Sequence, residues 1–170
     1  MISVRASVAL TAYVATIPAA NMLVTHVGAV PVGFGYAAPA GVYMVGLALV
    51  LRDLAREAAG RAAILAAIAT GAVLSWLLAT PELAIASTAA FALSETLDYA
   101  VYEPLRRRGL LVAMAASNAV GLLADSVVFL WLAFGSLAFL PGQLVGKAWM
   151  TAAAITVIFA WRARRPEATA

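Results

Sequence analysis

The chain has 170 residues, of which 65% are hydrophobic and 11% charged, whereas a soluble domain carries about 25% charged residues. This composition excludes an ordinary soluble domain and indicates an integral membrane protein. The absence of cysteine excludes disulfides and thiolate metal sites, and the net charge of +3 is too small to define a class of partner by itself.

Six apolar segments of near-bilayer length predict an all-α, multi-pass membrane protein with six transmembrane helices in a single domain. The segments cover residues 6–25, 39–57, 62–80, 83–103, 110–134 and 143–161. A membrane barrel would instead show short segments of alternating polarity. The first segment lacks the cleavage pattern of a signal peptide, so we expect it to be retained. Glycines and prolines favour a loop or broken structure over residues 26–38.

The positions of the basic residues predict the orientation of these segments. Ten of the eleven fall on one side: Arg5 precedes the first segment, Arg52, Arg56 and Arg61 lie between or beside the second and third, Arg106, Arg107 and Arg108 lie between the fourth and fifth, and Arg162, Arg164 and Arg165 follow the sixth; the exception is Lys147, inside the sixth. The alternate connections, around His26, Pro81 and Pro141, carry no lysine or arginine. Because lysine and arginine accumulate on the cytoplasmic side of a membrane, both termini are expected in the cytoplasm.

A polar stripe runs along the fourth segment. Its members recur at helical spacing and are Ser87, Phe91, Ser94, Asp98 and Tyr102, with Glu95 beside them. Ionisable groups at bilayer depth cost about 2.5 to 3.5 kcal/mol each, so they usually face a cavity or a partner. The stripe therefore predicts a polar cavity. The alternative is that Glu95 and Asp98 pair with arginines or with Lys147 on neighbouring helices.

The fifth and sixth segments carry further polar groups at bilayer depth. Ser117 shares a face with Asp125, and Asn118 lies seven residues before Asp125. A buried Lys147 is costly alone, so we expect a carboxylate partner, either Asp98 or Asp125. The alternative function for Ser117 and Asn118 is hydrogen bonding between helices.

Two other sets of polar residues have simpler explanations. Asp53 and Glu57 lie four residues apart on the second segment, and Arg52 and Arg56 form a parallel pair. Local ion pairs at a cytoplasmic helix end account for this spacing, and a structural or gating role is the other possibility. Asn21 is most simply explained as a polar group at a helix end.

No pattern in the sequence indicates catalysis. The single histidine, His26, excludes the two-histidine zinc motif, and neither a G-x-S-x-G nucleophile motif nor a Walker-type phosphate loop is present. The basic residues do not alternate with aromatic residues as on a nucleic-acid surface. We therefore expect no enzyme activity, no cofactor, no bound metal and no nucleic-acid partner.

Five pieces of the sequence, in order along residues 20–155, carry a family resemblance. They are ANMLVTHVG, PAGVYMVGLALVLRDLAREAAGR, ASTAAFALSETLDYAVYEPLRRRG, SNAVGLLADSVVFLWLAFG and GKAWMTAAA. Together they resemble the bacterial queuosine precursor transporters, also called the VUT or vitamin uptake transporter family. The most specific pieces are D-x-x-x-E-x-x-G from Asp53 to Gly60, A-S-x-x-A-F-x-x-S-E-x-x-D over residues 86–98, and S-N followed by D-S. The family's usual E-x-Y-G is EAAG here.

This resemblance implies uptake of queuine or its 7-deazaguanine precursors across the bacterial inner membrane. It also implies a six-helix fold similar to the substrate-binding components of energy-coupling-factor importers. The expected substrate-binding residues are Phe91, Ser94, Glu95, Asp98, Asn118, Asp125, Gln143 and Lys147. A deazaguanine offers two adjacent donors that a carboxylate accepts together, and a carbonyl that needs a donor. Glu95 or Asp98 is expected to read the donor edge in a mid-membrane cavity.

Three classes of function follow from these observations. The chain is a self-sufficient transporter, a binding subunit that needs an energising ATPase module, or a structural membrane protein whose acids only pair with arginines. The expected partners are the deazapurine substrate and the lipid bilayer. An ATPase module or a second copy of the chain is a further possible partner, because alanine-rich helix surfaces suit contacts within or between protomers.

Overall fold

The computed structural model describes residues 4–163. The described elements, in chain order, are helix α1 (Val4–Val27), strands β1 (Ala29–Gly33) and β2 (Tyr36–Pro39), and helices α2 (Val42–Ala59), α3 (Arg61–Leu78), α4 (Pro81–Leu105), α5 (Leu110–Phe134) and α6 (Leu140–Ala163), with a 3-10 turn at Arg106–Arg108. The six long helices expected from the sequence are confirmed, and their bounds lie within three residues of the predicted ones.

Local sequence explains where these helices begin and end. The α4 helix starts where Thr80 accepts a hydrogen bond from the backbone N–H of Leu83, with Pro81 in the first turn, where a missing N–H costs nothing. Only Gly60 separates α2 from α3, and its φ of +81° suits glycine. The short connection turns the chain back on itself, so consecutive helices run in opposite directions.

Residues 29–39 form a β-hairpin where the sequence predicted a loop or broken structure. Strand β1 pairs antiparallel with β2, from Ala29 opposite Pro39 to Gly33 opposite Tyr36. The turn takes left-handed backbone at three consecutive residues, Gly33, Phe34 and Gly35, and such turns match the twist of paired strands. The glycines that suggested a break therefore make the turn of the hairpin.

The hairpin packs along α6 rather than projecting from the bundle. Val32 and Ala38 form an apolar cluster with Val42 at the start of α2. A methyl group on Gly142 would overlap the backbone of the hairpin, and one on Gly146 would lie 2.8 Å from Val42. The hairpin therefore ties the start of α2 to the first turns of α6.

The bundle has two distinct ends. We call the end that carries the hairpin the hairpin end, and the opposite end, with the turn Arg106–Arg108, the arginine end. Helices α1, α3 and α5 run toward the hairpin end, and α2, α4 and α6 run away from it.

Close contacts at glycines join several helices, and two of the helix pairs joined in this way carry the polar residues of the interior. In the α2/α6 unit, a methyl group on Gly46 would lie 2.9 Å from the carbonyl oxygen of Lys147, and Thr151 donates a hydrogen bond to the Gly46 carbonyl at 3.3 Å. In the α4/α5 unit, Gly121 lies against the backbone of Ser94. Small residues let helix backbones approach in this way.

Apolar surface faces outward and polar side chains face inward, as a membrane requires. Three stretches are long and apolar enough to cross a membrane among the described residues: Ala6–Val27, Arg61–Leu78 and Ala116–Phe134. The other three helices carry most of the charged residues of the interior, and Asp125 lies within the candidate span of α5. That all six helices span the bilayer, with both termini inside, stays a prediction.

Candidate functional site

Three ion pairs connect the α2/α6 unit to the α4/α5 unit. From the hairpin end to the arginine end they are Lys147–Asp125, Arg52–Glu95 and Arg56–Asp98, with nitrogen–oxygen distances of 2.5, 2.6 and 3.6 Å. Each pair places its base on α2 or α6 and its acid on α4 or α5. Charges therefore bridge the same two units at three depths.

The pair nearest the hairpin end is almost fully buried. Lys147 is 1% exposed, and its ammonium group donates to Asp125 and, at 2.6 Å, to the hydroxyl of Ser126. Asp125 is one of the two acids expected from the sequence as its partner. A buried lysine needs such a set of acceptors, because an uncompensated charge in the interior is costly.

The middle pair makes Arg52 the most connected side chain of the interior. Arg52 is 6% exposed and donates to Glu95 at 2.6 Å, to Asp53 at 2.9 Å and to Asn118 at 3.4 Å. These acceptors lie on α4, α2 and α5. Sequence reasoning missed this position by assigning Arg52 to a local pair at a helix end. The signal was the spacing of Ala48, Arg52 and Ala55, which share the buried face of α2.

The pair nearest the arginine end is the loosest. Arg56 approaches the Oδ2 atom of Asp98 at 3.6 Å, and about a third of the Arg56 side chain is exposed. Asp98 is 4% exposed, and its Oδ1 atom has no hydrogen-bond partner among the described residues. Asp98 therefore has one accepting oxygen still available.

A wide cavity opens between the two units toward the arginine end. We call it the arginine-end cleft; its volume is about 1010 Å³. The polar residues of its lining are Arg52, Asp53, Arg56, Glu57, Asp98, Tyr102, Arg106, Ser117, Asn118 and Thr151. The side chains of Asp53, Glu57 and Asn118 are exposed. This cleft is wide and has charged residues in its lining.

A second cavity lies inside the bundle toward the hairpin end. We call it the hairpin-end pocket; its volume is about 20 Å³, room for about one water molecule. Its lining comes from the five helices α1, α2, α4, α5 and α6 and from Gly41 just before α2, and consists of Ile17, Ala20, Asn21, Val24, Gly41, Val42, Val45, Ser87, Phe91, Asp125, Phe129 and Gln143. This pocket is small and enclosed by the helices.

Amide groups provide the polarity of the hairpin-end pocket. Asn21 donates to the hydroxyl of Ser87 at 2.8 Å, and the amide oxygen of Gln143 has no partner among the described residues. Both amide side chains are buried. Sequence reasoning assigned Asn21 to a helix end, but it lies six residues before the end of α1 at Val27. It is part of the pocket wall.

The eight residues expected to bind substrate divide between these two cavities. Phe91, Asp125 and Gln143 line the hairpin-end pocket, with Lys147 bonded to Asp125; Asp98 and Asn118 line the arginine-end cleft. Glu95 lies between the cavities, paired with Arg52, and Ser94 donates to the backbone of its own helix. The sequence predicted one mid-membrane cavity. The structure distributes these residues over two cavities instead, and Arg52 lines the arginine-end cleft.

Pairing of acids with arginines was the alternative left open by the sequence, and Glu95 and Asp98 both adopt it. Asp53 and Glu57 line the arginine-end cleft, and only Asp53 of the two bonds to an arginine within the described part of the chain. No cluster of three or more histidine and acidic side chains that could hold a metal occurs among the described residues.

Comparison with known proteins identifies the family. The family described as "Putative vitamin uptake transporter" matches residues 74–163, which is more than half of the chain. The matched stretch contains α4, α5 and most of the polar residues of both cavities. Searches of curated proteins and of solved structures found no match. With apolar helices outside and buried charges inside, the chain belongs to the vitamin uptake transporter family of membrane proteins.

Proposed function

We propose that this protein imports a queuosine precursor, a 7-deazaguanine base, across the bacterial inner membrane. Membership of the family supports uptake of a vitamin-like solute, and transport requires no bond-making chemistry from the protein. The resemblance of the sequence to queuosine precursor transporters supports the narrower substrate class. One structural observation supports it most: the hairpin-end pocket combines a carboxylate, two amides and two phenyl rings.

The polar groups of this pocket complement a deazaguanine. The N1 hydrogen and the 2-amino group of the base donate side by side, and the carboxylate of Asp125 can accept both. The base carbonyl needs a donor, which the amide of Gln143 or Asn21 or the ammonium group of Lys147 can supply. A site built on such hydrogen bonds rejects analogues that lack them, because its buried polar groups would be left unpaired.

Aromatic side chains fit the flat faces of the same base. Phe91 on α4 and Phe129 on α5 line the pocket from neighbouring helices. Stacked and edge-to-face aromatic contacts contribute about 0.5 to 1.5 kcal/mol each beyond area burial. The pocket therefore offers apolar contact for the ring and polar contact for its edge.

The volumes of the two cavities indicate a transport cycle. Ligand sites usually measure about 300 to 1,000 Å³, so the hairpin-end pocket, at about 20 Å³, must expand to hold a base. The arginine-end cleft is wide enough as it stands. With both termini in the cytoplasm, this cleft opens to the cytoplasm. We therefore assign the conformation to the state that follows release of the base.

We favour a self-sufficient carrier over a binding subunit that needs an ATPase module. The observation behind this choice is that the chain itself lines both cavities, with the Arg52–Glu95 pair at the edge of the arginine-end cleft. Uptake into liposomes that contain the purified chain alone is expected. Uptake only after an ATPase module is added would assign the chain to the second class.

Binding by the detergent-purified protein tests the substrate directly. We expect a saturable rise of Tm with 7-cyano-7-deazaguanine, its aminomethyl form or queuine, and none with adenine, which lacks the N1 hydrogen, the 2-amino group and the carbonyl; a ligand at 100 times its Kd stabilises by about 2.7 kcal/mol. The rise should shrink in Gln143→Ala. It should persist in Glu82→Gln, a change at an exposed position of α4. No shift with any deazapurine, or an equal shift in Gln143→Ala, would contradict the proposal.

A further inference from the structure

The ion pair nearest the arginine end is clearly longer than the other two. The distances are 2.5 Å for Lys147–Asp125, 2.6 Å for Arg52–Glu95 and 3.6 Å for Arg56–Asp98. The cavities follow the same order: the protein is closed where the pairs are short and open where the last pair is long. The same two units are joined at every level.

Each unit is held together by contacts that do not rearrange easily. Gly46 and Gly146 bring α6 against α2, and the hairpin residue Val32 packs against both helices. Gly121 brings α5 against α4. Close-packed interfaces resist deformation, so movements occur as rotations or shears of whole units. The charged contacts between the units are the ones that can exchange partners.

We propose that the ion pair nearest the hairpin end and the one nearest the arginine end act as alternating latches between the α2/α6 and α4/α5 units. When one of these two pairs is tight, the other is loose. Lys147–Asp125 holds the hairpin-end pocket closed in this conformation. Arg56–Asp98 is loosely engaged in this conformation and tightens when the hairpin-end pocket opens. Arg52–Glu95 stays formed in both conformations and is the point about which the units tilt. The part of this inference that concerns the ligand rests on the proposed function.

Substrate binding and release of the latch are then one event. The donor edge of a base gives the Asp125 carboxylate two hydrogen bonds in place of the one from Lys147. The lysine keeps its contact with Ser126 and becomes available to the base carbonyl. A ligand shifts a conformational equilibrium only by its differential affinity for the two states. A solute without adjacent donors cannot replace the lysine and leaves the pocket closed.

The opposite end can close in the complementary way. The Oδ1 atom of Asp98 is buried and has no hydrogen-bond partner among the described residues, and Arg56 is only loosely engaged. A tilt that brings α2 toward α4 at the arginine end would give this carboxylate a close contact with the guanidinium. The energy lost at Lys147–Asp125 is then partly offset at Arg56–Asp98.

The chain contains no cysteine, so single cysteines can report on both cavities without a background to remove. Val45→Cys reports on the hairpin-end pocket and Ala152→Cys on the arginine-end cleft, since both positions line these cavities. Ser136→Cys, exposed between α5 and α6, is the control. The initial rate of maleimide labelling is measured on the detergent-purified protein without ligand.

The ion pairs are then removed, one at a time, in each single-cysteine variant. Lys147→Gln should raise labelling at position 45 several-fold and lower it at position 152, while labelling at position 136 stays constant. Asp98→Asn should leave position 45 slowly labelled, because it removes only the Arg56–Asp98 pair, which is loosely engaged in this conformation. Equal labelling at position 45 with and without Lys147→Gln would overturn the proposal. No base is added, so this outcome is distinct from a failure of the deazapurine assignment.

A buried acid without its lysine is itself a threat to folding. The double variant Lys147→Gln/Asp125→Asn removes both charges and leaves two amides that can bond to each other. It should label at position 45 at least as fast as the single variant. If the single variant does not fold, slow labelling of a folded double variant overturns the proposal.

Discussion

The hairpin-end pocket and the arginine-end cleft use different means to hold polar groups inside a membrane bundle. Asn21, Asp125 and Gln143 are enclosed by apolar side chains in the pocket, where each hydrogen bond is strong because water is excluded. The wider cleft is lined both by the exposed acids Asp53 and Glu57 and by buried charged groups. The enclosed region suits selection of a solute, and the open region suits its passage.

The two regions nevertheless share their helices. Asp125 in the pocket and Asn118 in the cleft lie seven residues apart on α5, a separation of about 10 Å along a helix. On α4, Phe91 and Asp98 have the same spacing. A base that moves two helical turns between the α4/α5 and α2/α6 units would exchange one set of contacts for the other, and it would pass Arg52 and Glu95 on the way.

The Arg52–Glu95 pair is the feature whose removal should lower stability and uptake the most. Glu95→Leu leaves Arg52 buried without its partner on α4, and breaking a buried ion pair in this way costs about 3 to 5 kcal/mol. We expect a corresponding loss of unfolding free energy, measured by denaturant titration in detergent, and loss of uptake.

A double variant distinguishes the charge from the packing. Arg52→Leu/Glu95→Leu should recover most of the stability, because replacing both members of a buried pair is often neutral, but it should not recover uptake. Glu82→Gln is the control at an exposed acid that lines neither cavity. Wild-type uptake in the double variant would show that transport does not need this ion pair.

The next largest effect should come from the pocket alone. Asp125→Asn retains the shape of the side chain but replaces one accepting oxygen with a donor. The loss of two charge-assisted hydrogen bonds should weaken deazapurine binding by about 100-fold, measured by calorimetric titration. Asp53→Asn, in the cleft, should leave the Kd unchanged. A large effect of the cleft variant with none of the pocket variant would reverse the proposed division between the two regions.

These two regions also differ in how far the sequence reveals them. The polar stripe of Ser87, Phe91 and Asp98 could be predicted from the sequence, because hydroxyls and acids at helical spacing within an apolar segment have few explanations. A carboxylate partner for Lys147 could be predicted for the same reason. What the spacing could not supply was the angle of each helix about its axis relative to its neighbours.

That missing angle explains the errors at Arg52 and Asn21. Charges near a helix end are usually solvated, so the buried position of Arg52 on α2 depends on packing between helices that are distant in sequence. Asn21 meets Ser87 across 66 residues. The hairpin was missed for a different reason: Gly33 and Gly35 indicate a turn, but strand pairing depends on the surface of α6, against which Val32 and Ala38 pack.

The cleft should respond to a milder change with a loss of rate rather than of affinity. Asn118 accepts a hydrogen bond from Arg52 and faces the cleft. In Asn118→Ala we expect the maximal rate of uptake to fall about fivefold, the effect of about one neutral hydrogen bond, with an unchanged Kd from Tm shifts. Glu57→Gln, at an exposed position in the same cleft, is the control. A changed Kd at an unchanged rate would assign Asn118 to recognition.

The smallest effect concerns the hairpin, and it decides whether the hairpin or the ion pairs control the pocket. The rings of Phe34 and Trp149 stack at 6.2 Å between centroids, and such a contact contributes about 0.5 to 1.5 kcal/mol. Phe34 is exposed and has a positive φ, which disfavours a bulky residue. Phe34→Ala should therefore lower the unfolding free energy by at most about 1 kcal/mol.

Because the hairpin lies along α6 and residues 28–40 do not line the pocket, the Kd for the base and the labelling at position 45 should not change. Faster labelling there in Phe34→Ala would mean that the hairpin, and not Lys147–Asp125, closes the pocket.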